Sequence, residues 1–76
     1  MDTSAHTLEN LFLQLGLSNN SYAIETFVAN NHLPNDIPIE RAAFWNASQA
    51  QFIKEALEED SDWSEVVDQL DAQLRH

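Results

Sequence analysis

Apolar residues return every three or four positions over four separate stretches of this chain. Leu8, Leu11, Phe12 and Leu15 form the first stripe, and Gly16 followed by Leu17 closes it. That spacing predicts a helix over about residues 5–15, with Gly16 taking the left-handed conformation of a C-terminal cap and Leu17 folding back on Phe12. Ser18 is a natural N-cap for a second helix over about 19–31, whose apolar side is drawn from Tyr22, Ile24, Phe27 and Val28 before Asn30, Asn31 and Pro34 end it. From His32 to Ala43 the helical period is lost, and Pro34 and Pro38 would each interrupt one. Ile37 and Ile39 alternate there with Asp36, Pro38 and Glu40, a pattern that suits an extended strap resting one side on the bundle or on a second subunit.

Helical spacing resumes after Asn46, which with Gln49 three residues on resembles a capping box. Ala50, Ile53, Ala56 and Leu57, with Phe52 beside them, mark a third helix over about 47–58. The period breaks from Glu58 to Ser61, and Asp62 with Glu65 repeats the N-cap signature before a fourth helix over about 62–74. Its apolar side is Trp63, Val66, Val67, Leu70 and Leu74. So short a joint predicts that helices three and four pair as an antiparallel hairpin. The fold expected is all-α: a single helical domain over residues 1–76, a small bundle of four short helices with a proline-containing strap between the second and third.

Charge changes this picture at the fourth helix. Asp62, Glu65, Asp68 and Asp71 recur every third residue, centred roughly opposite the apolar set, so the helix has one buried and one anionic face. Eight acids fall between Glu55 and Asp71 with no Lys or Arg among them, and the whole chain carries 13 acids against 3 Lys and Arg, a formal net charge of −10. That field repels phosphates and anionic membrane surfaces, and it favours a protein partner with a basic surface. Hydrophobic content of 43% is too rich for a disordered acidic tail, so the chain is expected to fold. At 76 residues the core is thin, and the absence of Cys removes disulfides and thiolate zinc sites as reinforcement, which leaves homodimerisation available. The segment from Met1 to Leu17 has no basic region and its apolar run is broken by Glu9, Asn10 and Gln14, unlike a signal peptide; no stretch reaches the length of a membrane span, and a cytoplasmic location is expected.

Asp2-Thr3-Ser4, His6-Thr7-Leu8-Glu9 leading into Leu15-Gly16-Leu17, Phe44-Trp45 with Gln49-Ala50, and Glu55-Ala56-Leu57 through Glu59-Asp60, Asp62-Trp63 and Val66-Val67-Asp68 together resemble a family of short, uncharacterised bacterial proteins classed as a domain of unknown function. The resemblance spans nearly the whole chain. Family members often carry a proline after the cap of the third helix where this chain has Ala47, an acceptable helix former. The resemblance implies a compact helical bacterial protein and assigns no catalytic or binding residue.

Candidate chemistry is sparse. Asp60-Ser61-Asp62-Trp63-Ser64 places oxygen ligands at alternate positions like the start of a calcium loop, but a helix-capping corner accounts better for residues through which the amphipathic period runs. His6, Glu9 and His32 offer nitrogen and oxygen donors without the third or fourth ligand and spacing of a zinc site; the plainer account places His6 near the start of helix one and His32 near the end of helix two. There is no thiol, no Ser in a nucleophile elbow, and the lone Gly rules out a phosphate-cradling loop, so no enzymatic function and no cofactor are expected. Phe44 and Trp45 are either core bulk at the start of helix three or anchors of an interface. The function expected is that of a non-enzymatic acidic protein-interaction module of the bacterial cytoplasm, binding through Phe44, Trp45, Asp62, Glu65, Asp68 and Asp71; the alternative is a small-molecule or metal binder whose site lies at a homodimer interface.

Overall fold

A computed structural model describes residues 6–59 and 61–75. Its elements run α1 (Leu8–Gln14), α2 (Ser21–Asn30), a single 3₁₀ turn (Ile39–Arg41), α3 (Ala47–Glu59) and α4 (Ser61–Leu74), with no strand among the described residues. The molecule is thus the expected all-α bundle of four short helices. The most extensive interhelical packing is between α3 and α4; α4 also packs on α1 and α2.

Side chains and one glycine set where the helices begin and end. Thr7 caps α1, its Oγ1 accepting from the Asn10 N–H at 3.2 Å, so the helix starts three residues later than the pattern suggests; Ala5 lies outside the described residues. At the other end Gly16 has φ +74°, the Leu17 N–H donates to the Phe12 carbonyl at 2.9 Å and the Gly16 N–H to Leu13 at 3.0 Å. This is the predicted Schellman closure, and it lays Leu17 against the core. The cap of α2 is Asn20 and not Ser18: Asn20 Oδ1 accepts from the Ala23 N–H at 2.8 Å, while Asn19 is drawn back to donate to the Glu9 carbonyl at 3.2 Å. Within α2, Tyr22 sits roughly 160° around the helix from Ile24, so it leaves the predicted apolar face and is 79% exposed. The Asn46–Gln49 box is reciprocal, Gln49 Oε1 accepting from the Asn46 N–H at 3.0 Å and Asn46 Oδ1 from the Gln49 N–H at 2.8 Å. Gln49 Nε2 goes further and donates to the Leu15 carbonyl at 2.9 Å, tying the start of α3 to the end of α1. Helix α4 begins at Ser61, which puts Asp62 inside the first turn instead of at the cap.

The connection from Asn31 to Asn46 is folded more tightly than an extended strap. The Pro34 carbonyl accepts from the Ile37 N–H at 3.1 Å, Pro38 from Arg41 at 2.9 Å and Ile39 from Ala42 at 3.1 Å. Each proline stands at the first position of a turn and supplies the carbonyl that closes it, so the two prolines punctuate turns and do not stretch the chain. The segment rests on its own bundle: Leu33, Ile39, Ala42 and Trp45 are buried there beside Leu11, Phe12 and Leu15 of α1, Ile24 of α2, Ile53 and Ala56 of α3, and Val66, Val67, Leu70 and Leu74 of α4.

An added Cβ at Gly16 would meet no atom within 4 Å, so a substitution there is opposed by backbone conformation alone. Gly16→Ala is expected to lower unfolding free energy by about 1 kcal/mol, and Gly16→Asn by less, in urea titrations of the two variants. Equal stability of the alanine variant and the parent would rule out a strained left-handed position.

Candidate functional site

The anionic face of α4 is not uniform. A three-residue step turns back around a helix by about 60°, so the row Asp62, Glu65, Asp68, Asp71 winds through about half a turn instead of running straight. Asp62, Glu65 and Asp68 are exposed on the outside of the helix, and Asp71 comes round toward the connection and is half-buried. There it pairs with Arg75 Nε, four residues on.

Arg75 uses the rest of its guanidinium on the backbone. Its two terminal nitrogens donate to the Pro34 carbonyl at 2.6 Å and the Ile37 carbonyl at 2.9 Å, and beside them the Leu33 N–H donates to the Leu74 carbonyl at 2.9 Å. One planar cation therefore satisfies two carbonyls of the proline turn while Asp71 orients it. Asp71 thus belongs to a structural clamp, apart from the other three acids. Its i,i+4 spacing to Arg75 was the sequence signal for that role.

Trp45 lies in the core, 8% exposed, with its indole N–H donating to the Ile39 carbonyl at 2.8 Å. It stacks on Phe27 with ring centroids 5.6 Å apart, and half-buried Phe44 meets Phe27 edge-on at 5.5 Å and Trp45 at 4.9 Å. The Phe44–Trp45 corner is therefore part of an aromatic cluster that also takes in Phe12, and of the pair only Phe44 offers partial surface.

His6 packs edge-on against Trp63 at 4.5 Å, and no group of three or more His, Asp or Glu side chains that could hold an ion occurs among the described residues. Of the calcium-loop candidates, Asp60 lies outside the described residues and the rest of the stretch, from Ser61 on, is helical.

Two further surfaces were not foreseen. A groove of about 460 Å³ runs along α2, floored by Phe12, Leu17, Ala23 and Phe27 and flanked by Tyr22. A smaller hollow of about 310 Å³ lies where α3 meets α4, lined by Phe52, Glu55, Ala56, Glu59 and Trp63. Among the described residues no helix is long and apolar enough to cross a membrane.

Comparison with known proteins adds a family and a fold. The family described as protein of unknown function (DUF2789) matches residues 1–74. The chain is 45% identical to protein CV0237 from Chromobacterium violaceum, whose structure was determined by NMR in solution; the match covers 99% of this chain and 95% of that one with a TM-score of 0.81. No curated protein matches.

The clamp separates the acids by experiment. Arg75→Met is expected to cost about 1–3 kcal/mol and Asp71→Asn about 1 kcal/mol, because each leaves charge-assisted hydrogen bonds unmade, whereas Asp68→Asn stays within about 0.5 kcal/mol of the parent. Denaturant unfolding of the three variants decides this, and a silent Arg75→Met would dismiss the clamp.

Proposed function

This chain belongs to the DUF2789 family of proteins of unknown function, and from that premise we propose that it is a non-enzymatic, acidic interaction module of the bacterial cytoplasm whose outer helical surface docks a protein with a basic surface. The observation that carries this reading is the outward set Asp62, Glu65 and Asp68 on α4, exposed on a helix with no Lys or Arg of its own. Glu55, Glu58 and Glu59, exposed at the adjoining end of α3, extend the same field. Carboxylates facing solvent in this way suit steering and docking of a cationic surface more than acid–base work, which needs them gathered in a cleft. The bacterial setting follows the Chromobacterium violaceum neighbour. Phe44, at the edge of the aromatic cluster, and the flank of α4 are the contact surfaces this reading uses; Trp45 and Asp71 support them from within.

The test is capture from a host lysate at low salt with a stepped salt wash, using the parent chain and the triple variant Asp62→Asn, Glu65→Gln, Asp68→Asn. The parent is expected to hold a basic protein that leaves as exposed charge pairs become screened, at a Debye length of about 10 Å near 0.1 M salt. The triple variant should lose that protein while losing no more than about 1 kcal/mol of unfolding free energy, the share of the first-turn carboxylate Asp62. A complex indifferent to both salt and the substitutions would sink the electrostatic reading.

A further inference from the structure

The geometry points to the hollow between α3 and α4 as a binding site for one arginine side chain of the partner protein. This deepens the docking role proposed above and rests on it. Phe52, Glu55, Ala56 and Glu59 stand at i, i+3, i+4 and i+7 along α3, so they share one stripe, and Trp63 faces that stripe from the first turns of α4. The hollow they line, about 310 Å³ and open to solvent, has the apolar Phe52, Ala56 and Trp63 at its floor and Glu55 and Glu59 at its rim. Ala56 is 4% exposed at its base. Phe52 and Trp63 are half-buried, their ring centroids 5.9 Å apart and their planes at 73°, which makes two walls of a corner. His6, edge-on to Trp63 at 4.5 Å, holds that indole in place. Glu55 and Glu59 are exposed above the floor, and Gln51 Nε2 donates to Glu55 Oε2 at 2.6 Å, orienting its carboxylate.

Three features of the hollow ask for a cation. Glu55 and Glu59 are like charges at i,i+4, an arrangement that opposes the helix carrying them. They lie toward the C-terminal end of α3, whose last turn holds no basic residue to offset them. The aromatic walls attract positive charge through their ring faces. A guanidinium answers all three in one group: it is planar enough to stack on an indole, weakly hydrated enough to leave water, and forked so that it can donate to a carboxylate while stacked. An ammonium is a compact, strongly hydrated charge and gains less from flat walls.

The test is an NMR titration of the isotope-labelled full chain at low salt with N-acetyl-arginine amide, N-acetyl-lysine amide and the neutral isostere N-acetyl-citrulline amide. The arginine amide is expected to move the Trp63 indole N–H and the backbone amides of residues 52–59, with the enclosed Trp45 indole as an unmoved control; the citrulline amide should move none of them. Glu55→Gln with Glu59→Gln should weaken arginine binding about fivefold, while Asp62→Asn with Glu65→Gln and Asp68→Asn should weaken it less than about twofold. Equal responses to lysine or citrulline, or equal losses in the two variants, would overturn the site. Failure at Trp63 alongside a salt-sensitive complex from the lysate rejects the arginine site and leaves the docking role standing. Arginine binding at Trp63 in a protein that captures no basic partner rejects a partner protein as the source of the cation.

Discussion

The structure depends on the connection between α2 and α3 being core. Four helices of seven to fourteen residues cannot enclose one another in a chain this small, and the missing apolar surface comes from Leu33, Ile39, Ala42 and Trp45. They make up four of the fourteen buried hydrophobic residues among those described, the same number that α4 supplies. Burying an irregular segment carries a second demand, because its backbone polar groups leave water without a helix or sheet to receive them.

Side-chain donors meet that demand. The Trp45 indole reaches the Ile39 carbonyl and Arg75 reaches Pro34 and Ile37, while at the ends of the neighbouring helices Asn31 reaches back to Phe27 and Gln49 takes the Leu15 carbonyl. Among the described residues no buried side-chain nitrogen or oxygen is left without a partner. Satisfied polar groups around a thin core specify one arrangement of the elements, where apolar contact alone would tolerate several. The same residues account for the division of the acids, since Asp71 is occupied in orienting the donor that the connection needs.

Much of the fold was legible in the sequence because its signals are local. The stripes of α1, α3 and α4, the Gly16 closure and the Asn46–Gln49 box each involve residues within one or two turns. Tyr22 departs from the apolar side because it stands two residues before Ile24, about 160° around the helix, a phase that apolar character alone does not carry. The path of the connection was hidden for another reason: its turns are held by Leu74 and Arg75, about forty residues on in the chain, and no local pattern encodes that meeting. Of the candidate site, the outward acids were legible as a period. The separation of Asp71 from them needed the winding of that period around the helix, and the hollow at Trp63 needed two helices in contact.

The long reach of the Arg75 clamp also bears on rates. Arg75 is separated by 41 residues from Pro34 and by 38 from Ile37, whereas the capping bonds span three. Closing so long a loop costs more chain entropy than forming a cap, so the clamp is expected to form once the helices on either side have docked. An interaction made that late governs how slowly the native state opens, with little influence on how fast it is reached, and its loss would be read on the unfolding arm of a chevron. The guanidinium at the end of α4 then works as a latch: it sets the lifetime of a fold whose formation it does not direct.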